Sequence, residues 1–205
     1  MEPMASLRSA FRSPARPNAI AFLVLSAALG NAFLNWLSAD VILWPLFLDS
    51  SFTILMGVVF GWLPGVLTGL ATNLLIEVFQ GFMGTHWPFA VVNMASGLIA
   101  GLMASDKERF WNPTHQIAFL LLLTVVNALL GSFVVVMVFG GLTGTNPDVV
   151  VQALRRTGQT VASAAFLARI AINLADKGLP VVLIYAAHLW AVRRHRRTQE
   201  SSEPA

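Results

Sequence analysis

The sequence predicts an all-α polytopic membrane protein, a compact bundle of six transmembrane helices with both termini on the cytoplasmic side. Three observations carry this. Of the 205 residues, 56% are hydrophobic and only 11% are charged, less than half the roughly 25% charged share of soluble domains. Mean hydropathy is +0.70. The charges are also clustered: no Asp, Glu, Lys or Arg lies between Arg16 and Asp40, Asp49 and Glu77, Glu77 and Asp106, or Arg109 and Asp148. Each gap holds the ~20 apolar residues that cross a ~30 Å hydrocarbon core, where a charge at mid-depth costs about 2.5–3.5 kcal/mol on insertion scales. Thirteen basic and ten acidic side chains could not cover a water-soluble surface, so an ordinary soluble enzyme is excluded.

The elements follow in order. Residues 1–17, rich in Pro, Ser and Arg, read as a disordered cytoplasmic tail, and 18–192 as the membrane domain. Helix 1 spans about Asn18–Leu37. Its basic-then-apolar start resembles a signal peptide, but the apolar run continues to Leu37, so an uncleaved helix is expected, with cleavage after Gly30 as the alternative. The connector SADVILWP leads into helix 2, about Leu46–Gly61. Pro64 disfavours helix at the residue before it, which sets a tight turn at GWLP before helix 3, about Gly65–Gln80. Helix 4 is expected at about Phe89–Ala104, helix 5 at Gln116–Phe139 and helix 6 at Ile170–Val192. Residues 149–168 read either as an interfacial helix or as the start of the last one; 193–205 form a basic cytoplasmic tail. Five spans result if helices 2 and 3 form one re-entrant unit.

Orientation follows from Lys and Arg in short flanks. With both termini inside, Arg8, Arg12, Arg16, Lys107, Arg109, Arg193, Arg194, Arg196 and Arg197 are cytoplasmic, against Arg155, Arg156, Arg169 and Lys177 outside. The sequence pI near 10.2 therefore reflects membrane orientation and not nucleic-acid binding.

Polar residues inside the spans are the candidate site. Asp49 falls near the outer end of helix 2, and Asn73 and Glu77, four apart, share a face of helix 3. His86 and Asn93 open helix 4, and Asn173, Asp176 and Lys177 share a face in the outer half of helix 6. Asp49, Asn73, Glu77, Asn93, Asn173, Asp176 and Lys177 thus converge at one depth, as groups lining a substrate cavity do. The other reading is structural, with Lys177 paired to Asp176 or Asp49 and the asparagines as interhelical glue. Adjacent helical residues diverge by ~100°, so at least one of Asp176 and Lys177 needs another partner, and Asp49 is the candidate for Lys177. Glycines 57, 61, 65 and 69 stand at GxxxG spacing across the Pro64 turn, reading as a tightly packed hairpin, and Gly97 and Gly101 repeat the spacing. Ala28 and Ala32 leave a small-residue stripe on helix 1.

Several chemistries are missing from the sequence. It has no Cys, and no G-x-x-x-x-G-K-[ST], G-x-S-x-G or H-E-x-x-H motif. The four histidines lie on separate segments without ligand spacing. No catalytic residue, metal or cofactor is therefore assigned.

The stretches PLFLDSSFTILMGVVFGWLPGVLTGLATNLL, WPFAVVNMASGLIAGLMA and FLARIAINLADKGLPVVLIY resemble, in order, the helix 2–3 signature, the fourth helix and the N-L-x-D-K element of energy-coupling factor (ECF) transporter S components. Ser51-Phe52 stands where many members have Ile-Gly, and Ala175 where Pro is frequent. The resemblance implies a multi-pass bacterial cytoplasmic-membrane subunit that captures a vitamin or related micronutrient. It also implies partners, a transmembrane scaffold and two cytoplasmic ATPases that supply the energy this chain has no phosphate loop to obtain. The Ala28 and Ala32 stripe resembles the face such subunits use against the scaffold. The rival readings are a membrane sensor acting through a partner, and a membrane enzyme using Glu77 or Asp176 as a base.

Overall fold

In a computed structural model the backbone is described for residues 17–200 and the side chains for 18–195. The expectations for residues 1–16, with Arg8, Arg12 and Arg16, and for the Arg196 and Arg197 side chains lie outside these. Among the described residues all regular structure is helical. Helix α1 is Pro17–Trp36, continued by one π-helical turn, Leu37–Val41. Then come α2 (Ser51–Phe60), α3 (Trp62–Phe79), a 3-10 turn Trp87–Phe89, α4 (Ala90–Met103) and α5 (Lys107–Phe110). Helices α6 (Pro113–Phe139), α7 (Asp148–Arg156) and α8 (Val161–Glu200) complete the chain. Four stretches are long and apolar enough to cross a membrane, Asn18–Val41, Trp62–Phe79, Pro113–Phe139 and Val161–His195; Ser51–Phe60 and Trp87–Met103 are shorter apolar helices.

The boundaries have local causes. Residues 46–50, expected to begin a helix, are non-helical, and Leu48 takes a positive φ of 51°. The break between α2 and α3 falls at Gly61, whose φ of 102° suits glycine. Pro64 therefore sits inside the first turn of α3, where a missing N–H is harmless. Asn112 caps α6 by accepting the Thr114 N–H at 3.0 Å, with Pro113 in the first turn. At the other end Gly140, at φ 66°, closes α6, and the Gly141 N–H returns to the Val135 carbonyl at 2.9 Å. Residues 149–168 divide between the two expected readings. Asp148–Arg156 is a separate amphipathic helix with Arg155 and Arg156 exposed, whereas 161–168 already belong to the last helix. That last helix, at 40 residues, is about 60 Å long, and it passes Val192 without interruption.

Helix α4 packs against α2 and α3, α1 against α3, and α6 against α8. The glycines make the close approaches, though not as a hairpin alone. Gly57 and Gly65 both face the Gly97 carbonyl, Gly69 faces Asn93, and Gly101 meets the backbone of Gly61 and Trp62; Gly61 is the turn, and a Cβ there would point into open space. A buried cluster of Ile54, Val58, Ala100, Phe110, Phe119 and Leu123 fills the end of the bundle at α5. Buried polar groups link α1 to the rest. Asn31 Nδ2 donates to the Thr53 and Thr72 hydroxyls at 2.9 and 3.0 Å, and its Oδ1 accepts the Phe52 N–H at 2.8 Å. Ala28 and Ala32 share this inward face, Ala28 fully buried and Ala32 6% exposed. The expected docking stripe is therefore covered by the chain's own helices, because the small side chains let α1 close on its neighbours. The outward faces carry large apolar side chains instead, among them Phe22, Phe33, Ile117, Phe133 and Met137.

Candidate functional site

At the end opposite the α5 cluster, the non-helical segment 46–50, the 80–88 loop and the 140–147 loop meet the ends of α3, α4, α6 and the early turns of α8. They frame a cleft with about 570 Å³ of empty space, its open mouth included. Asp49, Asn73, Asn93, Asn173 and Lys177 line it, so five of the seven expected side chains come together.

Asn73 and Asn93 form a relay. Asn93 Nδ2 donates to the Asp49 carbonyl at 2.9 Å and to Asn73 Oδ1 at 3.0 Å, while Asn73 Nδ2 donates to the His86 carbonyl at 2.9 Å. The amides thus tie α3, α4 and both flanking loops into one wall. Asn173 donates to the Arg169 carbonyl one turn earlier, at 2.8 Å.

Asp176 and Lys177 behave differently from their expected divergence. The long lysine stem folds back so that Nζ reaches Asp176 Oδ2 at 2.6 Å, and it also donates to the Ser50 hydroxyl at 2.6 Å. Asp49 Oδ1 is 4.0 Å from the same nitrogen, so the expected Asp49 partner is present at longer range. The other Asp176 oxygen accepts the Leu48 N–H at 2.6 Å. Asp176 is fully buried behind the cleft wall, holding segment 46–50 onto α8 and placing Lys177.

Glu77 likewise lies outside the cleft lining. Its carboxylate accepts the backbone N–H groups of Gly84, His86 (2.7 Å) and Trp87 (3.0 Å), curling the 80–88 loop over the end of α3. Asp148 does the same for the 140–147 loop, accepting Thr143 and Gly144 N–H at 2.7 Å each and the Thr143 hydroxyl at 3.1 Å. Burial pushes the His86 imidazole below its ordinary pKa although the Glu77 carboxylate favours the charged form. Glu77→Gln should loosen the loop, since one amide oxygen cannot accept three N–H donors. Hydrogen exchange at His86 and Trp87 is expected to accelerate about tenfold or more, and unchanged protection there would show that the clamp is dispensable.

The sequence reading missed Arg169, Asn127 and the Phe47 and Phe89 rings as lining groups, and it placed His86 at this level without counting it among the seven. Arg169 carries the clearest signal, standing four residues before Asn173 and seven before Asp176, on the same helical face. It reads as a loop charge only if the last helix starts at Ile170. Its stem passes Gly131, where an added Cβ would stand 3.1 Å from Arg169 Cδ, and its guanidinium lies 5.9 Å from the Phe89 ring centre. Among the described residues no three His, Cys, Asp or Glu side chains gather as a metal site requires.

Residues 19–187 match the family described as ECF-type riboflavin transporter, S component. No curated protein and no solved structure matches the chain. The family match spans all the groups around the cleft, in agreement with the resemblance carried by the helix 2–3 signature and the N-L-x-D-K element. The chain belongs to the ECF-type riboflavin transporter S component family, the substrate-binding subunits of ECF transporters.

Proposed function

We propose that this protein is a multi-pass subunit of a bacterial cytoplasmic membrane that binds riboflavin, or a related small micronutrient, from outside. It passes the ligand inward when docked on a transmembrane scaffold with two ATPases. The cleft carries the reading, a pocket that combines apolar rings with buried polar groups whose hydrogen-bonding capacity is unfilled. The family description supplies the vitamin. In this reading the six apolar helical segments all cross or enter the bilayer, with the termini inside and the cleft outside. The charge asymmetry supports that orientation, since Lys107, Arg109, Arg193 and Arg194 lie at the end opposite the cleft. Asp49, Asn73, Asn93, Asn173 and Lys177 contact the ligand, and Glu77 and Asp176 hold the loops that frame it.

Binding and uptake test the proposal separately. The purified chain alone is expected to bind riboflavin saturably, and proteoliposomes are expected to accumulate it only with scaffold, both ATPases and ATP. Absence of saturable binding together with absence of ATP-dependent uptake would overturn it.

A further inference from the structure

Two groups in the cleft have open hydrogen-bonding capacity of opposite kinds. Arg169 is only 2% exposed and lines the cleft, yet neither of its terminal nitrogens has a hydrogen-bond partner. The nearby Asp148 turns its oxygens to Thr143 and Gly144 and makes no hydrogen bond to the terminal guanidinium nitrogens. A buried guanidinium without an acceptor is costly to the folded state, and such groups mark sites whose partner arrives from elsewhere.

The second group is Asn93, whose Oδ1 is also buried and unpartnered. Its amide orientation is fixed, because Nδ2 faces two acceptors, the Asp49 carbonyl and Asn73 Oδ1; a flipped amide would set oxygen against oxygen. The free atom is therefore an acceptor. His86, the third residue of the cleft with an unfilled atom, donates or accepts at Nδ1 according to tautomer. A carboxylate or phosphate could satisfy Arg169 but would bring only further acceptors to Asn93. A ring amide or imide carries a carbonyl oxygen and an N–H on one edge and satisfies both.

We propose that Arg169 and Asn93 together read a ring amide or imide edge of the ligand, its carbonyl oxygen on the guanidinium and its N–H on Asn93 Oδ1, with the flat ring against Phe47 and Phe89. This rests on the cleft being the substrate site. It assigns specificity within that site to an arginine and an asparagine on different helices, α8 and α4.

The test uses the full-length protein in detergent with four probes: riboflavin and lumichrome, which carry an imide edge; N3-methylriboflavin, which lacks the imide N–H; and nicotinate, an aromatic carboxylate. Riboflavin and lumichrome are expected to bind, with N3-methylriboflavin at least about tenfold weaker, as sites built to hydrogen-bond a donor reject analogues lacking it. Arg169→Lys should weaken riboflavin by about tenfold or more, since an ammonium lacks the planar fork. Arg169→Met should abolish binding while leaving ligand-free thermal stability equal or higher, because it removes an unpaired buried charge. A fall in ligand-free stability of Arg169→Met would make the arginine a structural element and overturn the assignment. Riboflavin binding within about twofold of wild type in Arg169→Lys, or equal binding of N3-methylriboflavin, would overturn the edge assignment and leave the substrate-binding reading standing. Arg169-dependent binding of nicotinate in preference to the imides would replace the edge with an anion. A wild-type protein that binds none of the four would overturn both readings.

Discussion

Gly97→Ala is expected to destabilise the protein by more than about 3 kcal/mol, the upper end of ordinary overpacking, and Gly97→Val to prevent folding. A Cβ at Gly97 would stand 2.2 Å from the Gly65 carbonyl carbon and 2.4 Å from its oxygen. Both atoms are backbone, so no rotamer change relieves the clash, and α3 and α4 must separate. Separation also opens the Gly57 and Gly69 approaches, since both press on the same helix. Against a total stability of roughly 5–15 kcal/mol the effect is severe. Gly178→Ala is the control. Its added Cβ would meet only Leu120 Cδ2 at 3.9 Å, and a helical Gly→Ala change gains about 0.5–1 kcal/mol. Thermal unfolding of the two purified variants checks the contrast; a Gly97→Ala protein that melts with the wild type would refute the packing argument.

Asp176→Ala is expected to cost about 3–5 kcal/mol, the penalty for removing one member of a buried ion pair. The carboxylate holds Lys177 at 2.6 Å and the Leu48 N–H at 2.6 Å, so its loss leaves a buried ammonium with the Ser50 hydroxyl and a carboxylate 4.0 Å away. The non-helical segment 46–50 loses its anchor in the same step. Asp176→Asn combined with Lys177→Met should recover at least half of the loss, because most of it belongs to the unpaired charge and not to the missing bond. Ligand binding by Asp176→Asn is expected to weaken through displaced Asp49 and Lys177. Weakened binding with no change in melting would instead put the Asp176 carboxylate against the ligand.

Much of the candidate site was legible because lipid makes charge placement local information. Asp49, Glu77, Asp176 and Lys177 stand out as ionisable groups within apolar sequence, and helical spacing alone sets Asn173, Asp176 and Lys177 on one face. Their division of labour was not legible. Glu77 and Asn73 share a face of α3, yet Glu77 turns to the backbone of the 80–88 loop while Asn73 enters the cleft wall. That difference depends on where the loop returns, which no spacing encodes. Arg169 was hidden by a boundary nine residues too late, since α8 begins at Val161.

The sequence by itself determined the class of protein, the order of its apolar helices and the level at which polar groups collect. Each follows from the cost of charge in hydrocarbon, which acts on every segment separately. Only the tertiary structure decided which way each helix turns. Ala28 and Ala32 face inward, Asn31 joins three helices, and Arg169 and Asn93 line one cleft with hydrogen bonds unfilled. In a water-soluble bundle amphipathicity would have announced those rotations. In a bundle surrounded by lipid the inside and the outside are equally apolar, so rotation is set by which small residues permit close approach and which polar groups find a partner.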